Sequence, residues 1–266
     1  MNDVVSRNKL FCNEFNAMVL LEYQDILNLV RRLIEIGDKC IEGRRNQKDF
    51  TYEDVCEMFA EAIVDYSKIA YDNVILGHFD TVYMVYRAIL ENVVCLDIIL
   101  NDEAEELWKN YVVYSYRNTI LKSNGRFHEE CLKTLYELYE NLKIDKEFYE
   151  KGDKGKAYID KNYGWTYKVN KEFNFKGLCA LVNRNDYKDF KFASEFSHGT
   201  ALHLKIGCSA SIDRIIGMLL DIYIGLHRMI TMYCWEEAGD EFDYVSEAIE
   251  EIFYSYIDET ESKQHW

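Results

Sequence analysis

Arg87 and Glu91 stand four residues apart in a stretch, Val82 to Leu100, that is otherwise almost wholly apolar. A helix apolar on every side is a buried one, and this spacing puts both side chains on one face of it. Isolated buried charges cost several kcal/mol unless they find partners. Two chemistries fit the pair. It is either a buried ion pair that ties this helix to a neighbour, or a site in which Arg87 binds an anionic group while Glu91 orients it or acts as a base.

A second constellation lies a hundred residues on, in Tyr187-Lys188-Asp189-Phe190-Lys191-Phe192-Ala193-Ser194-Glu195-Phe196-Ser197-His198-Gly199. On a helix, Tyr187, Ser194 and His198 fall along one stripe, with Lys191 between them. Such a stripe is either a proton-transfer group or a set of hydrogen-bond partners that satisfies Arg87 and Glu91. A nucleophile and base at i,i+4 on one helix seldom have the geometry for attack, and no G-x-S-x-G elbow is present. The candidate binding set is therefore Arg87, Glu91, Tyr187, Ser194 and His198, with His198, Glu91 and Ser194 the catalytic candidates. A third stripe, Arg214, Asp221 and Arg228 at heptad spacing, has Gly217 and Gly225 on adjacent turns. It reads as a solvated face or as the lining of a polar cleft in which the glycines leave room.

No metal or cofactor motif accompanies these residues. His198 and His203 are five apart, too far round a helix to clamp one ion, and there is no H-E-x-x-H, C-x-x-C, P-loop or G-x-G-x-x-G. No metal and no cofactor is expected.

The elements that position these residues read as helices throughout. Apolar residues recur at helical spacing over 9–42, and Thr51 with Asp54 forms a capping box that opens a helix to about Tyr71. Further helices are expected at about 79–100, 103–123 (capped by Asn101-Asp102-Glu103), 126–149, 171–183, 185–204, 209–237 and 241–259, with 151–171 a loop. No hairpin signal or period-2 alternation appears. The 266 residues contain no proline, where average usage would supply about 13. The fold class is all-α, a single multi-helix bundle of about eight or nine helices forming one domain over 1–266.

Charge and cysteine usage narrow the setting. The net charge of −16 argues against duplex nucleic acid. Residues 236–263 carry eleven acids against Lys263, a solvated face or a surface for a basic partner. The basic stretch 143–191 interleaves lysines with aromatics, among them Tyr158, Trp165 and Tyr167. That pattern fits a flap packed onto the bundle, or a groove for single-stranded RNA. Eight cysteines without close pairs, and no signal peptide, imply a reduced cytoplasmic setting. Charges interrupt the apolar stretches 82–100 and 212–234, so no membrane partner is expected; a homodimer is compatible with everything above.

Taken in order, Phe79–Leu100 with Arg87-Ala88-Ile89-Leu90-Glu91, then Tyr114-Ser115-Tyr116, Gly164-Trp165, and Tyr187 with Ser194, Ser197, His198 and Gly199 resemble the family called domain of unknown function 5677. The resemblance covers roughly 60–205, leaving 206–266 as a C-terminal long helix plus the acidic helix. It implies a helical bacterial or archaeal protein with no established activity. The chain also invites comparison with the HEPN class of helical ribonucleases, yet no histidine here follows an arginine by four to six residues. The leading expectation is a binding or interaction module of unknown ligand. The alternative is a HEPN-like ribonuclease, toxin or phage-defence effector using His198 and Arg87.

Overall fold

The computed structural model describes residues 23–41, 51–102, 106–122, 128–150, 157–197 and 212–263, with side chains outside 79–80, 120–122, 128–130, 195–197, 212–214 and 256–263. Among the described residues there are ten α-helices and no strand, so the protein is all-α. The helices are α1 (Gln24–Ile41), α2 (Tyr52–Leu76), α3 (Phe79–Leu100), α4 (Leu107–Lys122), α5 (His128–Asn141), α6 (Lys146–Tyr149), α7 (Phe175–Leu181), α8 (Tyr187–Ser197), α9 (Ile212–Tyr233) and α10 (Trp235–Lys263). Two 3-10 turns, Tyr158–Asp160 and Gly164–Thr166, lie between α6 and α7. Contacts gather the chain into two compact units. The first takes in 1–45, 59–93 and 188–266, the second 46–58 and 94–187.

In the first unit α1 packs on α9 and α10. The buried face of α1 is Ile26, Leu27, Val30, Leu33, Ile34, Gly37 and Cys40, a stripe at helical period. Gly37 is small for a reason: a Cβ there would lie 3.1 Å from Val64 Cγ2 and 3.4 Å from Met229 Cε, so α1 reaches α2 and α9 closely. On α10, Phe242, Val245, Ile249 and Phe253 turn inward, while Glu236, Glu237, Asp240, Glu241, Asp243, Glu247, Glu250 and Glu251 are exposed. Two of these acids reach neighbouring helices: Arg32 donates to Glu241 at 3.0 Å, and the Tyr223 hydroxyl to Glu250 at 2.7 Å.

The stretch Ile215–Tyr233 of α9 is long and apolar enough to cross a membrane by composition alone. A core helix passes the same test, and 56% of this one is buried against its neighbours.

The second unit is built round the 3-10 turns. Trp165 is 1% exposed and meets Tyr111 of α4 edge-on at 5.4 Å, while the Tyr163 backbone N–H donates to the Tyr114 hydroxyl at 3.2 Å. Phe148, Tyr167 and Tyr158 stack in series at 5.5 and 4.7 Å. Phe148, Trp165, Tyr167 and Phe175 of the basic stretch are thus buried, as expected for a packed flap, and 157–171 is a loop that carries two 3-10 turns. Two ion pairs, the exposed Lys168–Glu106 and the partly buried Arg117–Asp160, fasten it to residues flanking and within α4.

Also in this unit, Arg184 Nε donates to Asp97 at 2.6 Å, with Asp186 3.7 Å from its Nη1. Arg184 and Asp97 are only 14% and 13% exposed. Removing one partner from such a pair strands the other charge, so Arg184→Ala should lower unfolding free energy by about 2 kcal/mol in urea titrations. Arg184→Ala combined with Asp97→Asn should recover part of that loss.

Helix boundaries differ from the sequence reading where the backbone turns left-handed. Lys143 has φ 52° and ends a run read as continuous over 126–149, so α5 and α6 are separate helices. Gly239 has φ 63° and kinks α10, which begins at Trp235 rather than 241. The Thr51–Asp54 box closes reciprocally, Asp54 N–H donating to Thr51 Oγ1 at 3.3 Å and Thr51 N–H to Asp54 Oδ2 at 2.6 Å. Asp102 accepts from Leu107 N–H at 2.7 Å and opens α4. Six cysteines (Cys40, Cys56, Cys95, Cys131, Cys179, Cys234) are free thiols, five of them buried; Cys12 and Cys208 lie outside the described residues, as does the first part of the helix expected from residue 9.

Candidate functional site

Three helices of the first unit each turn one short face toward a common space. From α3 come Tyr83 and Tyr86, three apart; from α8 come Asp189 and Phe192, three apart; from α9 come Gly217, Leu220 and Asp221. These spacings are those of neighbours on a helix surface. Together the seven residues line a cavity of about 360 Å³, within the range of small-molecule sites. Tyr83 and Phe192 make one wall, their rings 5.3 Å apart and nearly perpendicular.

Two glycines on α9 do opposite things. A Cβ at Gly225 would come within 2.4 Å of Ile89 Cγ2, so this glycine lets α9 lie directly on α3. A Cβ at Gly217 would meet nothing within 4 Å. The second glycine faces open space at the cavity.

Asp221 is the chemically distinctive group. Burial pushes its carboxyl up to about 7, the Tyr86 hydroxyl donates to it and offsets part of that push, and the negative charge of Asp189 adds to it. Asp189 is exposed and sits at the rim. Among the described residues no salt bridge is made by Asp221, so its ionised form is held by one hydroxyl and opposed by desolvation. The cavity is acidic and aromatic, with its least comfortable charge at the wall.

The residues singled out by type and spacing have varied placements. Arg87 is half-buried on α3; its guanidinium lies 4.8 Å over the Phe190 ring of α8, and its buried Nε has no hydrogen-bond partner. Glu91 is half-buried one turn further along α3. Ser194 is half-buried on α8, with its hydroxyl donating to the Phe190 carbonyl at 2.7 Å. Arg87 and Ser194 therefore meet at the same residue, Phe190: one lies over its ring, the other bonds its backbone carbonyl. Tyr187 is exposed at the first position of α8. His198 and the side chain of Arg214 lie outside the described residues, while Arg228 is half-buried on α9.

A stacked guanidinium contributes about 0.5–2 kcal/mol, and its unpartnered buried nitrogen costs about 1–3 kcal/mol, so the two largely offset. Arg87→Met keeps the stacking volume without the charge. It should leave the melting temperature within about 3 °C of wild type, a shift set by under 1 kcal/mol, as read by circular dichroism.

Tyr83, Tyr86, Asp189 and Phe192 were not distinguished by residue type, because each is ordinary on a helix. The detectable signal was the trio of i,i+3 or i,i+4 pairs. Gly217 and Asp221 did stand out, as the polar stripe with small neighbours on the long helix.

Fold and cavity together define an all-α protein with an acidic, aromatic-walled pocket. The chain belongs to the family of unknown function (DUF5677), whose match covers residues 67–211, more than half its length. That span contains α3 and α8 but ends one residue before α9, so Gly217, Leu220 and Asp221 lie beyond it. No curated protein and no solved structure matches the chain.

Proposed function

We propose that the protein is a binding module whose ligand occupies the cavity between α3, α8 and α9. One observation carries this reading: Gly217 keeps the cavity open although packing does not require a glycine there. Glycine inside a helix is worse than alanine by about 1 kcal/mol, and an alanine at 217 would clash with nothing. A position that forgoes that gain next to a half-buried aspartate fits a space kept for an occupant.

The test is ligand-observed NMR with a mixed-charge fragment library against the wild type and Gly217→Leu, whose side chain would fill the cavity. Binding that is lost in the variant, with its melting curve intact, is the expected result. A library in which no binder distinguishes the two proteins would overturn the reading. The ribonuclease alternative requires Arg87 and His198 in one site. Its test is cleavage of a labelled single-stranded RNA by wild type and His198→Ala, which under the binding reading are equally inert.

A further inference from the structure

We propose that the cavity takes an organic cation, an alkylammonium or quaternary ammonium group whose charge meets Asp221 and whose carbons lie against Tyr83, Tyr86 and Phe192. This rests on the binding reading above and names the chemical class of its ligand.

The lining decides the sign of the charge. Two of the seven residues are carboxylates, three are aromatic, and the other two are Leu220 and Gly217; none is a lysine, arginine or histidine. An anion would face Asp221, for which no cationic partner lies among the described residues. The nearest cation described on α3, Arg87, is held on Phe190 and is not part of the lining. A neutral ligand would leave Asp221 as it is, an acid whose ionised form is disfavoured by burial and by Asp189. A cation supplies the partner that a carboxylate in such surroundings lacks.

The walls decide the kind of cation. Hard metal ions want six or more oxygen ligands, or a tight octahedron of them. Among the described residues no group of three or more His, Cys, Asp or Glu is placed to hold a metal ion. Aromatic rings attract weakly hydrated organic cations through their quadrupole, and quaternary ammonium recognition by aromatic cages works this way. Tyr83 and Phe192, perpendicular at 5.3 Å, offer two ring orientations along one wall. Tyr86, 5% exposed, combines a ring with the hydroxyl that orients the carboxylate. Asp189, exposed at the rim, adds a field that draws cations in.

A proton and an organic cation would then compete for Asp221. Among the described residues, the titratable groups lining the cavity with it are Tyr83 and Tyr86 on α3 and Asp189 on α8. With the carboxyl pushed up to about 7 by burial, affinity for a permanent cation should rise about tenfold from pH 6 to pH 8, following the ionised fraction.

The experiment is isothermal titration calorimetry on the full chain with tetramethylammonium, butylammonium, the uncharged shapes neopentanol and butanol, and butyrate. Expected are binding of both ammonium probes, at least about tenfold weaker binding of the alcohols, and none of butyrate. Asp221→Asn should cost at least about tenfold and flatten the pH dependence; Gly217→Leu should abolish binding. Alcohols that bind as well as ammonium, or an Asp221→Asn variant that binds tetramethylammonium like wild type, would overturn the assignment. If fragments bind in a Gly217-sensitive manner and the ammonium probes do not, the cation class fails and the binding reading stands. If nothing binds, both fall. A further arm, N-acetyl-lysine methylamide, separates two sources of one chemistry. Affinity equal to butylammonium favours a lysine side chain of a partner, and binding of butylammonium alone favours a free amine; either supports the cation class.

Discussion

Replacing Asp221 with asparagine should stabilise the protein at pH 8 by roughly 3–4 kcal/mol while leaving its stability at pH 4 nearly unchanged. An aspartate in the unfolded chain titrates near 3.9; in the native state burial, with Asp189 adding to it, pushes Asp221 to about 7. Between those values the unfolded chain has released a proton that the native protein keeps. Native protein binds more protons there, so stability falls as pH rises from about 4 to about 7 and is flat above. At pH 4 the wild-type group is protonated when folded, and asparagine imitates it. Its amide oxygen still accepts the Tyr86 hydroxyl. Urea melts at pH 4, 6 and 8 should show the two proteins diverging with pH; parallel curves would mean that Asp221 ionises in the native state as readily as in the unfolded one.

The second large effect is expected at Gly164→Ala, in the other unit. A Cβ there would lie 1.8 Å from the Tyr158 carbonyl oxygen and 2.8 Å from its carbon, both backbone atoms that cannot swing aside. The 3-10 turn at Tyr158–Asp160 would have to shift, and with it the Tyr158–Tyr167–Phe148 stack and the seat of Trp165. A loss of at least about 3 kcal/mol follows from that class of overpacking. Near-UV circular dichroism should show disturbed aromatic packing alongside an earlier urea midpoint. A variant with wild-type stability would mean that the turn has room the structure does not show.

Much of the fold could be read directly from residue types. A period-3.6 apolar stripe marks α1, an all-round apolar run marks α3, and Thr51–Asp54 marks the start of α2 because a capping box is local chemistry. What escaped was set by backbone conformations that side chains do not advertise, such as the left-handed Lys143 between α5 and α6. The segment 157–171 reads as a loop and holds only two short 3-10 turns; the burial of Trp165 and Tyr167 agrees with the packed-flap reading of its aromatics. Arg87 stood out because a charge in an apolar helix is rare, and its partner turned out to be an aromatic ring, Phe190, which sequence spacing alone could not nominate. Asp221 was legible as a polar residue on an apolar helix. Its company was not, since a cavity wall drawn from three helices over 83–221 exists only once those helices are packed.

The two glycines of α9 separate a pair of quantities that are usually tied together. At Gly225 the absence of a side chain sets how near α9 comes to α3; at Gly217 it sets how much volume remains between them. Distance and room can therefore be changed independently. Alanine, valine and leucine at 217 form a graded ruler for the cavity that leaves the helix spacing alone, and the largest ligand each tolerates would measure the occupant without its ever having been isolated.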